Sequence, residues 1–128
     1  MIKALTLVCL LPLLCFASYS LEDLTLEEKV GQLLIAHFNG DIVNEDAKTL
    51  ITHVFVGGLI YYNWANGLHS PDQVRTLSSG LQTLTQGKVP LFITIDQEGG
   101  LVTRLSKGFT VFPGNKALSL TLNPHLAE

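Results

Sequence analysis

Cysteine is scarce in this 128-residue chain, and both copies, Cys9 and Cys15, lie in an apolar N-terminal stretch. The rest of the chain can therefore form neither a disulfide framework nor a cysteine metal site. The four histidines lack metal-ligand spacing such as His-x-x-x-His, and the eight basic residues form no cluster. We therefore expect no metal or other cofactor and no nucleic-acid partner.

The N-terminal stretch has the organisation of a secretory signal peptide. Lys3 precedes an apolar run over residues 4–17, and Ser18 and Ser20 supply small residues for cleavage after Ser20. The run is short for a membrane span, although an uncleaved anchor and a first buried helix are alternatives. We predict a signal peptide over residues 1–20 and an exported protein, periplasmic or extracellular, with no stable membrane span after cleavage.

Helical and strand patterns alternate along the rest of the chain. A Thr-x-x-Glu capping box at Thr25 predicts a helix starting near Leu26. The apolar patterns then predict strands over 33–36, 57–62 and 89–95, helices over 44–53 and 70–87, a loop over 63–69, and a last helix starting at Asn123. This alternation indicates parallel βαβ units, and it fits a doubly wound sheet as well as a barrel.

The third predicted strand ends in the most informative residues of the chain. Its apolar run is typical of a parallel strand that is buried on both faces, and Asp96 follows it directly. In parallel α/β folds, active-site residues lie at the carboxyl ends of the strands. Asp96 could therefore accept hydrogen bonds from adjacent polar groups of a ligand. The alternatives are that Asp96 caps the next turn or pairs with Arg104. The Arg104 guanidinium could itself bind ligand oxygens or form an ordinary loop salt bridge.

Three aromatic residues lie at the end of the second predicted strand, at the same edge of the sheet. Tyr61, Tyr62 and Trp64 could stack on a ring of a bound ligand. The preferred interpretation for at least two of the three is structural, with one tyrosine in the core and Trp64 covering a loop.

The residues around Asp96 resemble the signature of family 3 glycoside hydrolases, most closely that of the β-N-acetylhexosaminidases. The resemblance rests on Ile95-Asp96-Gln97-Glu98-Gly99-Gly100, Val102, Arg104, Gly108-Phe109-Thr110 and Pro113. It continues backwards through residues 56–60 and 24–33, in the same order as in the family. Leu101 departs from the pattern, because the family commonly has an arginine there.

The resemblance implies a fold and a division of the site. It implies the N-terminal portion of a TIM-type (β/α)8 barrel, incomplete in this chain, with residues 21–128 forming the first part of the catalytic barrel. Asp96 and Arg104 would bind the substrate. The nucleophilic aspartate and the acid/base histidine of the family would lie beyond residue 128, so the chain alone is expected to be inactive. Glu98 is then expected to orient the loop through backbone N–H groups rather than to act in catalysis.

The activity implied by the resemblance is hydrolysis of a terminal β-linked N-acetylhexosamine, by a retaining mechanism that needs no cofactor. The partner is a carbohydrate, with peptidoglycan fragments as one candidate. A β-glucosidase is the alternative within the family. A non-catalytic sugar-binding fragment or a gene remnant is the alternative of another class.

Overall fold

The computed structural model describes residues 20–127, so the predicted signal peptide lies outside the described part except for Ser20. Three parallel strands form one sheet in the order β1-β2-β3: β1 (Ile35–Ala36), β2 (Gly58–Tyr61) and β3 (Phe92–Ile95). The predicted α/β class with a parallel sheet is confirmed.

Helices alternate with these strands. They are α1 (Leu26–Gly31), α2 (Glu45–Thr52), α3 (Asn63–Asn66), α4 (Pro71–Thr83) and α5 (Asn115–Leu120), with 3-10 helices at Leu21–Asp23 and Pro124–Ala127. The side chains of Thr25, Asn44 and Ser70 accept hydrogen bonds from backbone N–H groups in the first turns of α1, α2 and α4, as caps do. None of the helices within residues 20–127 has the length and apolar content needed to cross a bilayer.

Several elements differ from the predictions at their ends. The loop predicted over 63–69 begins with the single turn of α3, and the chain after Asn123 forms a 3-10 turn rather than an α-helix. The first strand is shorter than residues 33–36, because the N–H groups of Leu33 and Leu34 bond back to the end of α1. Helix α5 was not predicted at all.

The core lies on one face of the sheet, between the strands and helices α2 and α4. Leu59 and Tyr61 of β2 are buried there, and the Tyr61 hydroxyl is 3.0 Å from the Ser78 hydroxyl on α4. The opposite face is open, with Ile35 56% and Phe92 72% exposed. The expectation that β3 is buried on both faces is therefore wrong for the described chain, because no second layer covers this side.

An ion pair links α1 to the segment before β3. Glu28, whose side chain is only 10% exposed, accepts hydrogen bonds from Lys88 Nζ at 2.7 Å and from the Thr25 N–H at 2.9 Å. These two donors lower the pKa of the Glu28 carboxyl below its usual range, the Lys88 bond having the larger effect.

The lowered pKa predicts how stability changes with pH. A carboxyl with a depressed pKa in the folded state stabilises the protein above its unfolded-state pKa of about 4.3, and that contribution is lost as the pH falls through the folded-state pKa. We therefore expect Glu28→Gln to lower the Tm at pH 7 and the deficit to shrink as the solution is acidified. Thermal unfolding of the unsubstituted protein and of Glu28→Gln across this pH range measures the difference in Tm. A deficit that stays constant with pH would contradict the assignment.

Candidate functional site

The carboxyl ends of the three strands bring three polar or aromatic residues to one edge. His37, Tyr62 and Asp96 are the first residues after β1, β2 and β3. Ile93 and Ile95 pack against the core, so the alternation of side chains along a strand places Asp96 on the opposite, open face with Phe92. The same alternation places His37 and Tyr62 on that face. The sheet therefore presents all three at one end of its uncovered side.

Asp96 and Arg104, the two predicted binding residues, are brought together by the loop that follows β3. The distance from Arg104 Nη2 to Asp96 Oδ2 is 3.9 Å, too long for a hydrogen bond. The Asp96 side chain is 48% exposed and the Arg104 side chain 27%. The Nε of Arg104 is shielded from solvent and has no hydrogen-bond partner within residues 20–127. Both groups therefore retain hydrogen-bonding capacity.

The loop is organised by Gln97, which the sequence analysis did not single out. Its Oε1 accepts hydrogen bonds from the N–H groups of Arg104 (2.9 Å) and Leu105 (3.0 Å), and its Nε2 donates to the Leu105 carbonyl at 3.0 Å. The Glu98 side chain is exposed and forms no hydrogen bond in the described part of the chain. The prediction that Glu98 orients the loop is therefore wrong, because Gln97 forms the hydrogen bonds that do so.

The glycine pair allows the loop to lie directly on the next segment. Gly99 has a φ of 79°, and an added Cβ would lie 2.7 Å from the carbonyl oxygens of Phe112 and Pro113. The Gly100 N–H bonds the Phe112 carbonyl at 3.1 Å. Leu101, the departure from the family pattern, is fully exposed at the tip. Its side chain therefore makes no contact with Asp96 or Arg104.

We expect Gln97→Ala to loosen this loop. Three hydrogen bonds would be lost, each worth about 1 kcal/mol when intact and less where solvent competes. Amide hydrogen exchange at Arg104 and Leu105 should accelerate at least about tenfold. Glu98→Ala is the matched control and should leave both amides protected. If Glu98→Ala accelerates the exchange of these amides as strongly as Gln97→Ala does, the assignment of the positioning role to Gln97 alone is wrong.

The aromatic residues divide between the core and the surface. Tyr61 is buried, as expected for one tyrosine. Tyr62 and Trp64 instead stack, with ring centroids 5.1 Å apart and an interplanar angle of 17°, and Trp64 is 67% exposed. The edge of the site thus has an aromatic surface that the preferred sequence interpretation did not predict.

Asn66 connects the loops after β1 and β2 and was also missed. Its side chain is fully buried; Nδ2 donates to the carbonyls of Phe38 (3.0 Å) and Gly40 (3.1 Å), and Oδ1 accepts from the Tyr62 N–H at 3.0 Å. All three hydrogen bonds are internal, so Asn66 fixes the backbone on either side of the sheet edge. Residues 20–127 contain no group of three side chains suited to a metal ion.

The chemistry available at this edge is recognition of a polar, uncharged ligand. A carboxylate accepts hydrogen bonds and a guanidinium donates them, so Asp96 and Arg104 together can satisfy adjacent hydroxyl groups. The nearby aromatic surface can cover an apolar ring face. This combination suits a saccharide, whose rings carry both hydroxyl groups and apolar faces.

Comparison with known proteins gives matches over most of the chain. The family model described as glycosyl hydrolase family 3 N terminal domain matches residues 25–128. A beta-hexosaminidase of Alkalilimnicola ehrlichii is 35% identical over 90 residues, 70% of this chain and 24% of that protein. One of Pseudomonas aeruginosa is 32% identical over 95 residues, 74% of this chain and 26% of that protein. The chain thus spans about a quarter of the length of these curated relatives.

Solved structures give the same result. A glycoside hydrolase family 3 beta-N-acetylglucosaminidase from Paenibacillus sp. str. FPU-7 superposes with a TM-score of 0.77 and 51% identity, over 81% of this chain and 20% of that one. NagZ from Neisseria gonorrhoeae, solved in complex with N-trifluoroacetyl-D-glucosamine, gives a TM-score of 0.53 and 27% identity, over 62% of this chain and 22% of that one.

Proposed function

Because this chain belongs to glycosyl hydrolase family 3, we propose that it supplies part of the site of an enzyme that removes terminal β-linked N-acetylhexosamine from carbohydrates. The observation that carries the proposal is the placement of Asp96 at the end of β3, 3.9 Å from Arg104, within the matched region. The names of the relatives, beta-hexosaminidase and beta-N-acetylglucosaminidase, support this sugar over glucose.

Asp96 binds hydroxyls of the terminal sugar, and Arg104 donates to the sugar or holds the Asp96 carboxylate in place. The reaction is a retaining double displacement. A carboxylate displaces the leaving-group alcohol, whose oxygen is protonated by the acid/base as the glycosidic bond breaks, and water then hydrolyses the glycosyl-enzyme intermediate. Neither step needs a cofactor. In this scheme residues 21–128 bind and orient the sugar, and the nucleophile and the acid/base come from outside them.

The fold proposed for the complete site is a (β/α)8 barrel in which β1, β2 and β3 are the first three strands. Two features of the sheet support this. Its uncovered face carries the apolar side chains of Ile35 and Phe92, as the interior of a barrel does. Within the described residues, β1 and β3 each have a strand neighbour on one side only, and closure of a barrel would pair both edges.

The proposed location is outside the cytoplasm. The apolar run over residues 4–17, with small residues before position 21, supports export and cleavage after Ser20. Mass spectrometry of exported protein should find a mature chain starting at Leu21. An N-terminus at Met1 in that fraction would contradict the proposal.

The test of the activity is hydrolysis by protein expressed from the complete reading frame. We expect release of the chromophore from an aryl N-acetyl-β-glucosaminide and much slower release from the matching β-glucoside. Faster hydrolysis of the glucoside would favour the β-glucosidase alternative. Absence of hydrolysis of both, with saccharide binding retained, would identify a non-catalytic sugar-binding protein.

A further inference from the structure

A stacked aromatic cluster lies beside Asp96, and the roles of Asp96 and Arg104 do not account for it. We name it the aromatic platform; it consists of His37, Tyr62 and Trp64. The His37 ring meets Tyr62 and Trp64 edge-on, at centroid distances of 5.8 and 5.4 Å, and Trp64 lies nearly parallel to Tyr62 at 5.1 Å. Edge-to-face and offset-stacked pairs at these distances are mutually stabilising.

The platform is held rigidly although it is exposed. Asn66 fixes the Tyr62 backbone through its Oδ1 and the segment after His37 through its Nδ2. The turn of α3 carries Trp64 and is closed by hydrogen bonds from the N–H groups of Ala65 and Asn66 to the Tyr62 carbonyl. The rings are thus pre-positioned by internal bonds, which reduces the entropy lost when a ligand is bound.

The platform adjoins the proposed sugar position. Tyr61 and Ile95 are paired across the sheet, so Tyr62 and Asp96, the next residues, leave neighbouring strands side by side. Neighbouring strands lie about 4.8 Å apart. A ligand held by Asp96 therefore lies close enough for a second sugar ring to contact Tyr62 and Trp64.

We propose that the aromatic platform binds the second pyranose ring of the substrate, on the leaving-group side of the bond that is cleaved. This rests on the proposed function. A pyranose ring has an apolar C–H face and a polar edge, which suits an exposed aromatic ring beside water. The Asp96 position holds the terminal sugar, and nothing precedes a terminal sugar. Any further ring in contact with the protein must therefore belong to the leaving group.

Kinetics with two leaving groups tests the proposal in the protein expressed from the complete reading frame. The substrates are the β-linked disaccharide of N-acetylglucosamine and methyl N-acetyl-β-glucosaminide, whose leaving group has no ring. We expect Trp64→Ala to raise KM for the disaccharide by about three- to tenfold and to leave the methyl glycoside unaffected. Trp64→Phe should restore most of the loss. Leu33→Ala, an exposed apolar residue before β1, is the matched control.

Intrinsic fluorescence provides a readout that does not depend on turnover. Trp64 is the only tryptophan of the chain, so its emission reports the platform alone. Titration of the 128-residue chain with the disaccharide should shift this emission more strongly than titration with N-acetylglucosamine.

The outcomes separate the two proposals. If both substrates are hydrolysed and Trp64→Ala affects them equally, the platform proposal is wrong and the proposed function stands. The same conclusion follows if both are hydrolysed and the disaccharide causes no fluorescence shift. Absence of hydrolysis together with a disaccharide-specific shift contradicts the proposed function and the leaving-group assignment, and leaves the platform as a saccharide-binding site without a catalytic role. Absence of both overturns both.

Discussion

Asp96→Ala is expected to lower kcat/KM for an N-acetyl-β-glucosaminide by about ten- to hundredfold while leaving the Tm nearly unchanged. A lost charge-assisted hydrogen bond to the substrate costs roughly 1.5–3 kcal/mol, which corresponds to this range of rates. The structure provides little reason for a stability loss. Asp96 is half exposed, and its closest charged contact, Arg104, lies at 3.9 Å, and exposed ion pairs contribute only about 0–1 kcal/mol.

The measurement pairs steady-state kinetics with thermal unfolding of protein expressed from the complete reading frame. Asp72→Ala is the matched control, because Asp72 is an exposed carboxylate on α4 paired with Arg75 at 2.6 Å. It should leave kcat/KM unchanged. If Asp96→Ala lowers the Tm but not kcat/KM, Asp96 is a structural cap and the binding site has been assigned to the wrong residue.

Local signals predicted those parts of the fold that depend on neighbouring residues. The capping box at Thr25 predicts the start of α1 correctly, and Ser70 caps α4 at the start predicted for it, because a cap is satisfied within three residues. The predicted end of α4 is too late, since the helix stops at Thr83. Helix α5 carries no such signal, since its N-cap is Gly114, which forms no side-chain hydrogen bond. Helix α5 therefore lacks the local signal that marks the starts of α1 and α4.

The sequence singles out the two charged residues proposed for the site, but not the residues that support them. Asp96 and Arg104 stand out because a strand end and a recognisable motif mark them. Asn66 bonds to Phe38, 28 positions earlier, and Gln97 bonds to a backbone seven and eight positions ahead. No periodicity or spacing in the sequence encodes such pairs. The platform depends on the same kind of contact, since His37 and Tyr62 come together only when β1 and β2 pair.

The uncovered face of the sheet leads to the second large effect. Phe92 is 72% exposed in the described chain, so Phe92→Asp should change the stability of the 128-residue chain by no more than about 0.5 kcal/mol. In a closed barrel the same position points into the packed interior. There the substitution should cost roughly 3–5 kcal/mol, as expected for a buried charge without a partner.

Urea unfolding of two forms tests this: the 128-residue chain and a longer form that, under the proposed function, carries the rest of the site. Leu59→Ala is the control, because Leu59 is fully buried beneath the helices in the described chain and should cost roughly 2–5 kcal/mol in both forms. A barrel predicts that Phe92→Asp is tolerated in the first form and strongly destabilising in the second. If the longer form tolerates the aspartate as well as the shorter one does, no further layer covers this face, and the proposal that β1, β2 and β3 open a closed barrel must be abandoned.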